Sequence, residues 1–198
     1  MNKETDYSAD IRTYLEQERE VLSALDVDKI SEVMNVLEST RLNGTRVFIC
    51  GNGGSAANAS HFTCDFNKGI SYSQKVKYNF ECLNDNIPIM MAIANDISYD
   101  DIFLEPLKNK MKKEDVLFVI SGSGNSKNII KAIEYAKSIG AKTIGLAGYD
   151  GGAVKKMVDY CIHVNIDNMQ ITEDVHQIIN HVMMFVLSGM KGICGKEK

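Results

Sequence analysis

The fold is indicated by one short stretch, RVFICGNGGS at residues 46–55, and by the segment AANASHFTCDF at residues 56–66 that follows it. Residues 47–50 are apolar, as in a buried strand, and residues 56–62 have the character of a helix start. Three glycines lie between them, at residues 51–54. A strand that turns on glycine into a helix leaves backbone N–H groups free to bind an anion, usually a phosphate. We therefore predict an anion site at this first turn.

A second turn of the same kind is SGSGNS at residues 121–126, directly after the strand-like run at residues 116–120. Serine hydroxyls and N–H groups at a helix N-terminus hold a phosphomonoester without lysine or arginine. An ordinary turn with Ser126 as helix N-cap explains the same residues. Two such turns after two strands favour a ligand. Neither turn has the dinucleotide fingerprint or the P-loop pattern, so no nucleotide cofactor is predicted.

Strand-like and helix-like runs alternate along the chain with short turns between them. This pattern predicts right-handed crossovers and a parallel sheet covered by helices on both faces, an α/β fold. Ligands bind such sheets at the carboxyl ends of the strands, so both turns share one edge and can share one ligand. The predicted strands lie at residues 46–50, 76–82, 116–120, 142–147 and 161–164.

Two helices are predicted before the first strand, capped by Ser8 and Asp28, with Gly44 ending the second. Later helices are expected at residues 100–111, from Ser126 to Gly140, after residues 151–152 and from near Thr172 to Met190. The sequence contains no linker and no repeat array. We therefore predict a single domain over residues 1–198, with the helix pair at 1–44 and an α/β core at 45–198.

The composition is that of an ordinary globular protein: 198 residues, 44% hydrophobic and 24% charged. A net charge of −4 with no basic cluster argues against nucleic-acid and membrane partners. The N-terminus lacks the apolar core of a signal peptide. We expect reduced thiols and a cytoplasmic location, with Cys50 and Cys161 buried in strands. The cysteines, odd in number and never spaced as C-x-x-C, are Cys50, Cys64, Cys82, Cys161 and Cys194.

Carboxylates and imidazoles occur together on two of the predicted helices. His61 and Asp65 are four residues apart on the helix after the first turn. The last helix carries Glu173, His176 and His181. If both helices border one pocket, these groups can act as acids and bases or as metal ligands. Each of these residues taken singly has an ordinary structural explanation, because acidic residues suit the first turn of a helix and a single histidine on a helix is usually a partly buried side chain. His163 lies within a predicted strand, and we assign it no functional role.

These motifs, in this order along the chain, resemble the SIS (sugar isomerase) domain family, and within it the phosphoheptose isomerases. The resemblance implies a flavodoxin-like three-layer sandwich with a five-stranded parallel sheet, preceded by a helical hairpin. It also implies a homotetramer with active sites at subunit interfaces. Members of the family interconvert sedoheptulose 7-phosphate and D-glycero-D-manno-heptose 7-phosphate for heptose-containing glycans, and some carry zinc.

The resemblance also implies roles for individual residues. Those implied to bind the sugar phosphate are Asn52, Gly53, Gly54, Ser55, Asn95, Asp96, Ser121, Gly122, Ser123 and Ser126. Those implied to bind metal are His61, Asp65, Glu173 and His181. Three of these metal ligands are also the expected catalytic residues, with Asp65 or Glu173 as the carbon base and His181 as the proton shuttle.

Three residues depart from the family pattern: Asp65 replaces a glutamate, Glu173 a glutamine and Gly122 a threonine. A carboxylate at residue 173 favours a bound cation, so Zn²⁺ becomes more plausible. The shorter Asp65 displaces the base by about one bond length, and a shift of about 1 Å can cost on the order of a hundredfold in rate. The departures leave open an isomerase of another phosphosugar. A second alternative is a non-catalytic SIS regulator that binds a phosphosugar or a protein, such as a replication initiator.

Overall fold

A computed structural model describes residues 5–189. In this part of the chain, a parallel five-stranded sheet has the strand order β2-β1-β3-β4-β5. The order is that of flavodoxin-like sheets, and it confirms the predicted fold class. The strands are β1 (Val47–Gly51), β2 (Phe80–Cys82), β3 (Val116–Ser121), β4 (Lys142–Ala147) and β5 (Tyr160–His163).

Helices cover both faces of this sheet. Two of them, α1 and α2, form the predicted hairpin before β1. The helices are α1 (Ser8–Ser23), α2 (Val27–Leu42), α3 (Gly54–Cys64), α4 (Ile87–Asp96), α5 (Leu104–Lys110), α6 (Lys127–Ser138), α7 (Gly152–Met157) and α8 (Met169–Leu187). A π-helical turn (Asp65–Gly69) and a 3₁₀ turn (Ile70–Ser73) continue α3, and a further 3₁₀ turn (Tyr99–Asp101) follows α4.

The strands alternate their side chains between two apolar cores, which gives the three layers. On β1, Ile49 points into the core under α2, α3 and α8, whereas Phe48 points into the core under α5, α6 and α7. Phe118 and Leu117 divide between the same two cores on β3. Because both faces are covered, all five residues of β1 are buried.

Several boundaries differ from the sequence prediction. Helix α2 is capped by Asp26, not Asp28, because Asp26 Oδ1 accepts hydrogen bonds from the backbone N–H groups of Asp28 (3.1 Å) and Lys29 (3.0 Å). Helix α8 begins at Met169, capped by Asn168, so Glu173 lies in the second turn of this helix and not in the first.

The second strand is also shorter than predicted, because residues 76–79 are not part of the ladder. The N–H of Tyr78 bonds instead to the Ser71 hydroxyl at 2.8 Å. Asp100–Met111 divides into the 3₁₀ turn and α5. Pro106 occupies the first turn of α5, where its missing N–H costs nothing.

The four cysteines in the described part of the chain are free thiols, while Cys194 and Met190 lie outside it. Cys50 is buried, and burial raises its pKa. Cys161 is only half-buried because β5 is an edge strand, contrary to the prediction. Within residues 5–189, no helix has both the length and the apolar character required to cross a membrane.

Candidate active site

The first turn joins β1 to α3 and lies beside the second, because β1 and β3 are neighbours in the sheet. Gly53 has a φ of 56°, a conformation that favours glycine. Ser55 is buried and lies against Gly51, where a Cβ would be 2.6 Å from the Ser55 carbonyl oxygen. The glycines therefore serve a tight turn that brings the α3 N-terminus to the edge of the sheet.

Asn52 in this turn is bound to the helix that follows the second turn. The side-chain amides of Asn52 and Asn128 exchange two hydrogen bonds of 2.9 Å. The Tyr99 hydroxyl donates a third, of 3.1 Å, to Asn52 Oδ1. Both oxygen and nitrogen of the Asn52 side chain are therefore engaged within the protein, and the two turns are fixed relative to each other.

In the second turn, two of the three serines accept bonds from the turn itself. Ser121 Oγ accepts from the Gly124 N–H at 3.1 Å, and Ser123 Oγ accepts from the Asn125 N–H at 3.3 Å. Ser126 occupies the N-cap position of α6, but its side chain makes no cap hydrogen bond there. The N-terminal N–H groups of α6 are therefore not capped by this hydroxyl. An ordinary turn with Ser126 as the helix N-cap would have such a bond.

An open cavity of about 590 Å³ lies next to the second turn, on the β4 and β5 side. Gly122 borders the same region, and a Cβ there would be 2.6 Å from Met169 Sδ at the start of α8. A threonine at residue 122 would have to displace this methionine. The cavity is lined by Ser123, Asn125, Tyr149, Asp150, Asn165, Asp167 and Met169.

Glu173 reaches the first turn from α8. A Cβ on Gly54 would lie 2.2 Å from Glu173 Oε2, so the carboxylate occupies the space that any side chain at residue 54 would need. Asn58 Nδ2 donates a 2.9 Å hydrogen bond to the Glu173 carbonyl and ties α3 to α8. Since a helix N-terminus carries partial positive charge, the Glu173 carboxylate lies where its charge is favourable.

Three of the predicted metal ligands come together where α3 ends. Asp65 Oδ2 lies 3.4 Å from His61 Nε2 and 3.7 Å from His181 Nε2. The two imidazole rings are 5.1 Å apart in an edge-to-face arrangement. One ligand atom from each residue lies within 4.8 Å of the others, which suits the imidazole and carboxylate donors of a zinc site. We call these three residues the His–Asp cluster.

Glu173 is not part of the group that the described residues form around Asp65. It precedes His181 by eight residues on α8, a rise of about 12 Å along the helix axis. Glu173 therefore faces the first turn and His181 faces the end of α3. The structure therefore groups three of the four ligands implied by the resemblance, while the Glu173 carboxylate lies beside Gly54.

Asp65 is buried, while the side chains of both histidines are about half exposed, at 46% for His61 and 55% for His181. The cluster therefore opens to the surface between α3 and α8. The 590 Å³ cavity lies elsewhere, since none of the cluster residues lines it.

Asn95 and Asp96 end α4 and are both exposed. Asn95 Nδ2 donates to Asp96 Oδ1 at 2.7 Å. Within residues 5–189, neither side chain bonds to a glycine-rich turn or to the His–Asp cluster. Helix α4 is instead connected to the first turn through the neighbouring Tyr99.

Several polar contacts of the site were missed in the sequence. Asn180 Nδ2 donates a 2.7 Å hydrogen bond to Asp65 Oδ2, and Gln177 Nε2 lies 3.1 Å from His181 Nε2. His176, already a candidate acid–base group in the sequence, is fully buried, and this burial lowers its pKa from 6.5 to about 4. Neither of its ring nitrogens has a hydrogen-bond partner among the described residues. A run of polar residues at helical spacing among the apolar residues of α8 was the available signal.

The protein-family comparison matches the SIS domain over residues 6–148. A phosphoheptose isomerase of Helicobacter pylori (strain P12) is 36% identical over 156 residues, which are 79% of this chain and 81% of that protein. The chain belongs to the SIS domain family, among the phosphoheptose isomerases. This membership confirms the resemblance found in the motifs.

Other members of the family agree over most of their length. A probable phosphoheptose isomerase of Thermoplasma acidophilum is 34% identical over 174 residues, 88% of this chain and 95% of that protein. The structure of a phosphoheptose isomerase from Francisella tularensis superposes with a TM-score of 0.85 at 28% identity, covering 93% of this chain and all of that one. The aligned lengths therefore include the sheet and the helices on both of its faces.

Proposed function

We propose that the protein is a ketose–aldose isomerase that interconverts sedoheptulose 7-phosphate and D-glycero-D-manno-heptose 7-phosphate. The observation that carries this proposal is the His–Asp cluster, where an Asp65 oxygen faces the imidazoles of His61 and His181. The cluster belongs to a chain whose relatives are named phosphoheptose isomerases. Carboxylate and imidazole are the groups that a proton transfer beside a carbonyl requires.

The phosphate binds at the second turn in this proposal. Ser121, Ser123 and Ser126 supply hydroxyls, and the α6 N-terminus supplies N–H groups. Glu173 already places a negative charge at the first turn, which disfavours a second anion there. Asn52, Gly53, Gly54 and Ser55 then line the site near the sugar, with Asn95 and Asp96 as further substrate contacts. Binding energy at the phosphate helps to position the reacting end.

The reaction needs one base at carbon and one group that moves a proton between two oxygens. A carboxylate, Asp65 or Glu173, takes the proton from the carbon beside the carbonyl, and the electron pair forms an enediol(ate). The same carboxylate returns the proton to the neighbouring carbon, which converts ketose to aldose. His181 transfers the proton between the two oxygens, because its imidazole can both donate and accept.

The donor set of the His–Asp cluster fits Zn²⁺, with Asp65, His61 and His181 as the protein ligands and Glu173 outside this group. A bound Zn²⁺ would supply Lewis-acid polarisation of the substrate oxygens. The roles of the two turns in binding and positioning the sugar phosphate are the same with or without the ion.

We also propose a homotetramer with active sites at subunit interfaces. Helix α4 has no buried residue, and its apolar side chains include Ile87 and Met91, which are 62% and 67% exposed. Helix α8 has a second apolar face that carries Val182, Phe185 and Val186 in exposed positions. Apolar surface of this kind marks an interaction site.

The free thiols are compatible with a cytoplasmic location.

The test is incubation of the purified protein with sedoheptulose 7-phosphate in deuterated water, with and without added Zn²⁺. We expect exchange of the proton beside the carbonyl and formation of the aldose, both measured by nuclear magnetic resonance. Exchange with a different phosphosugar only would change the substrate and keep the reaction. Binding of the sugar phosphate without any exchange would support the non-catalytic regulator instead.

A further inference from the structure

Asn180 occupies a position that brings a neutral amide against the carboxylate of the His–Asp cluster. Its side chain is fully buried on α8, and Nδ2 donates to Asp65 Oδ2 at 2.7 Å. This is the same oxygen that faces His61 at 3.4 Å and His181 at 3.7 Å. Asn180 therefore contacts the atom around which the cluster is arranged.

The orientation of this amide follows from elementary chemistry. An ionised carboxylate only accepts hydrogen bonds, so Asn180 must present its NH₂ group and turn its carbonyl away. Asn180 Oδ1 has no hydrogen-bond partner in the described part of the chain. The Asn180 amide therefore donates to Asp65 while its own buried oxygen is left without a hydrogen bond in the described part of the chain. This is expected where the Asp65 contact matters more than local satisfaction of hydrogen bonds.

The contact also gives the short carboxylate a partner on α8. Asp65 has one methylene fewer than the glutamate implied by the resemblance, and it lies where α3 passes into the π-helical turn Asp65–Gly69. A short side chain reaches less far from its helix. Asn180 projects from the facing helix and holds the Asp65 carboxylate on the α8 side of the site. Because His181 is the next residue, one turn of α8 supplies both the amide and an imidazole.

We propose that Asn180 is a positioning residue that holds the Asp65 carboxylate in register with His61 and His181. Its kinetic consequence depends on the isomerase function proposed above, whereas its geometric consequence does not. In the alternative, Asn180 only satisfies a buried carboxylate, and it then contributes to stability alone. The two explanations differ in what happens to the position of Asp65 when the amide is removed.

The test replaces Asn180 with leucine, which keeps the volume and removes the amide, and with serine, which is smaller and too short to reach Asp65. Thr143→Val is the matched control. The buried Thr143 hydroxyl bonds to the Asp159 carboxylate at 2.8 Å, at the opposite end of the sheet. Each variant loses a side-chain hydrogen bond to a carboxylate, but only the Asn180 variants lose it in the cluster. Thr143→Val also loses the 3.0 Å bond that its hydroxyl accepts from the Asp159 N–H.

Crystal structures of the full-length wild-type protein and of both Asn180 variants are the first readout. We expect Asp65 Oδ2 to move away from both imidazoles in the variants. An unchanged Asp65 position in Asn180→Leu, or in Asn180→Ser if the leucine variant does not fold, would overturn the proposal. This readout is valid whether or not the protein proves to be an isomerase.

Turnover of sedoheptulose 7-phosphate is the second readout. We expect kcat to fall by about 30- to 100-fold in Asn180→Leu, as for a reacting group displaced by about 1 Å, while KM changes by less than about threefold. Thr143→Val should lower the thermal stability and leave kcat within about twofold of the wild type. Equal kcat in the wild type and in both Asn180 variants would reduce Asn180 to a structural role. If the wild type itself has no turnover, the proposed function fails and the crystallographic comparison still decides the role of Asn180.

Discussion

The two glycine-rich turns are alike in sequence, and the structure uses them differently. At the first turn, the Glu173 carboxylate occupies the space beside Gly54, and Asn128 engages the Asn52 amide. At the second turn, the Ser126 hydroxyl makes no cap hydrogen bond, and the loop borders an open cavity. At the first turn the protein supplies a carboxylate and an amide, whereas at the second turn the Ser126 hydroxyl has no such partner, although Ser121 and Ser123 accept bonds from the turn itself.

This difference shows that a strand–glycine–helix turn predicts a bound negative charge, but it does not predict whether a ligand or a side chain of the protein carries that charge. The N-terminus of a helix attracts negative charge from a ligand or from a side chain alike. In this chain, α8 passes the first turn and delivers Glu173 to it. We therefore expect changes near the first turn and the His–Asp cluster to affect kcat, and changes in the second turn to affect binding of the phosphate.

The largest expected effect is that of His181→Ala. Loss of a general acid–base group typically lowers the rate by about 10²- to 10⁴-fold, and we expect a decrease of this size in kcat. His181 is half exposed, so the fold should persist, which circular dichroism and thermal unfolding can check. Near-normal turnover in this variant would show that His181 takes no part in the reaction. It would also contradict the assignment of catalysis to the His–Asp cluster and of phosphate binding to the second turn.

Gly54→Ala tests the occupation of the first turn by Glu173. The new Cβ would lie 2.2 Å from Oε2, so the carboxylate must move. We expect kcat to fall by about a hundredfold if Glu173 is the base, since misplacement by about 1 Å costs this much. Ala57→Ser, on the exposed side of α3, is the control and should leave kcat unchanged. If Gly54→Ala keeps full activity, Asp65 is the better candidate for the base.

His176 connects the two regions through α8, and its burial predicts sensitivity to acid. Burial lowers its pKa from 6.5 to about 4, so between these pH values the unfolded chain binds a proton that the folded protein does not. The stabilisation is complete above pH 6.5 and is lost as the pH falls towards 4. At pH 5 the loss should be about 2 kcal/mol relative to neutral pH.

Urea unfolding of the wild type and of His176→Gln, followed from pH 7.5 to 4.5, measures this difference. Glutamine does not titrate, so the variant should lose less stability over this range. Parallel pH profiles for the two proteins would show that His176 is not the origin of the acid sensitivity.

The smallest expected effect is that of Ser126→Ala in the second turn. A hydrogen bond to a charged group contributes about 1.5–3 kcal/mol, which corresponds to an increase in KM of about tenfold or more. We expect kcat to change much less than in the first-turn variants. Inorganic phosphate should also inhibit this variant more weakly than it inhibits the wild type. A normal KM together with a reduced kcat would reverse the roles assigned to the two turns.

The sequence was sufficient to predict the parallel sheet and the helices that cover both of its faces. Strands β3 and β4 were predicted almost to the residue. For β3 the reason is that a strand buried on both faces is a continuous apolar run. The pairing of His61 with Asp65 could also be predicted, since residues four apart share one face of a helix. These features depend on the spacing of residues that are close in the sequence, so the sequence alone is enough to predict them.

Contacts between distant segments were decided in the folded molecule. The sequence did not predict that Glu173 would lie at Gly54, that Asn180 would bond to Asp65, or that Asn128 would engage Asn52. Each contact joins a helix to a segment far from it in the sequence, and their relative rotation and offset depend on packing of the whole core. A shift of α8 by one residue turns a side chain by about 100° and moves it by about 1.5 Å, which is enough to exchange one partner for another. The chemical groups available to the site can therefore be predicted from the sequence, whereas the residues that each group contacts depend on the packing of the helices.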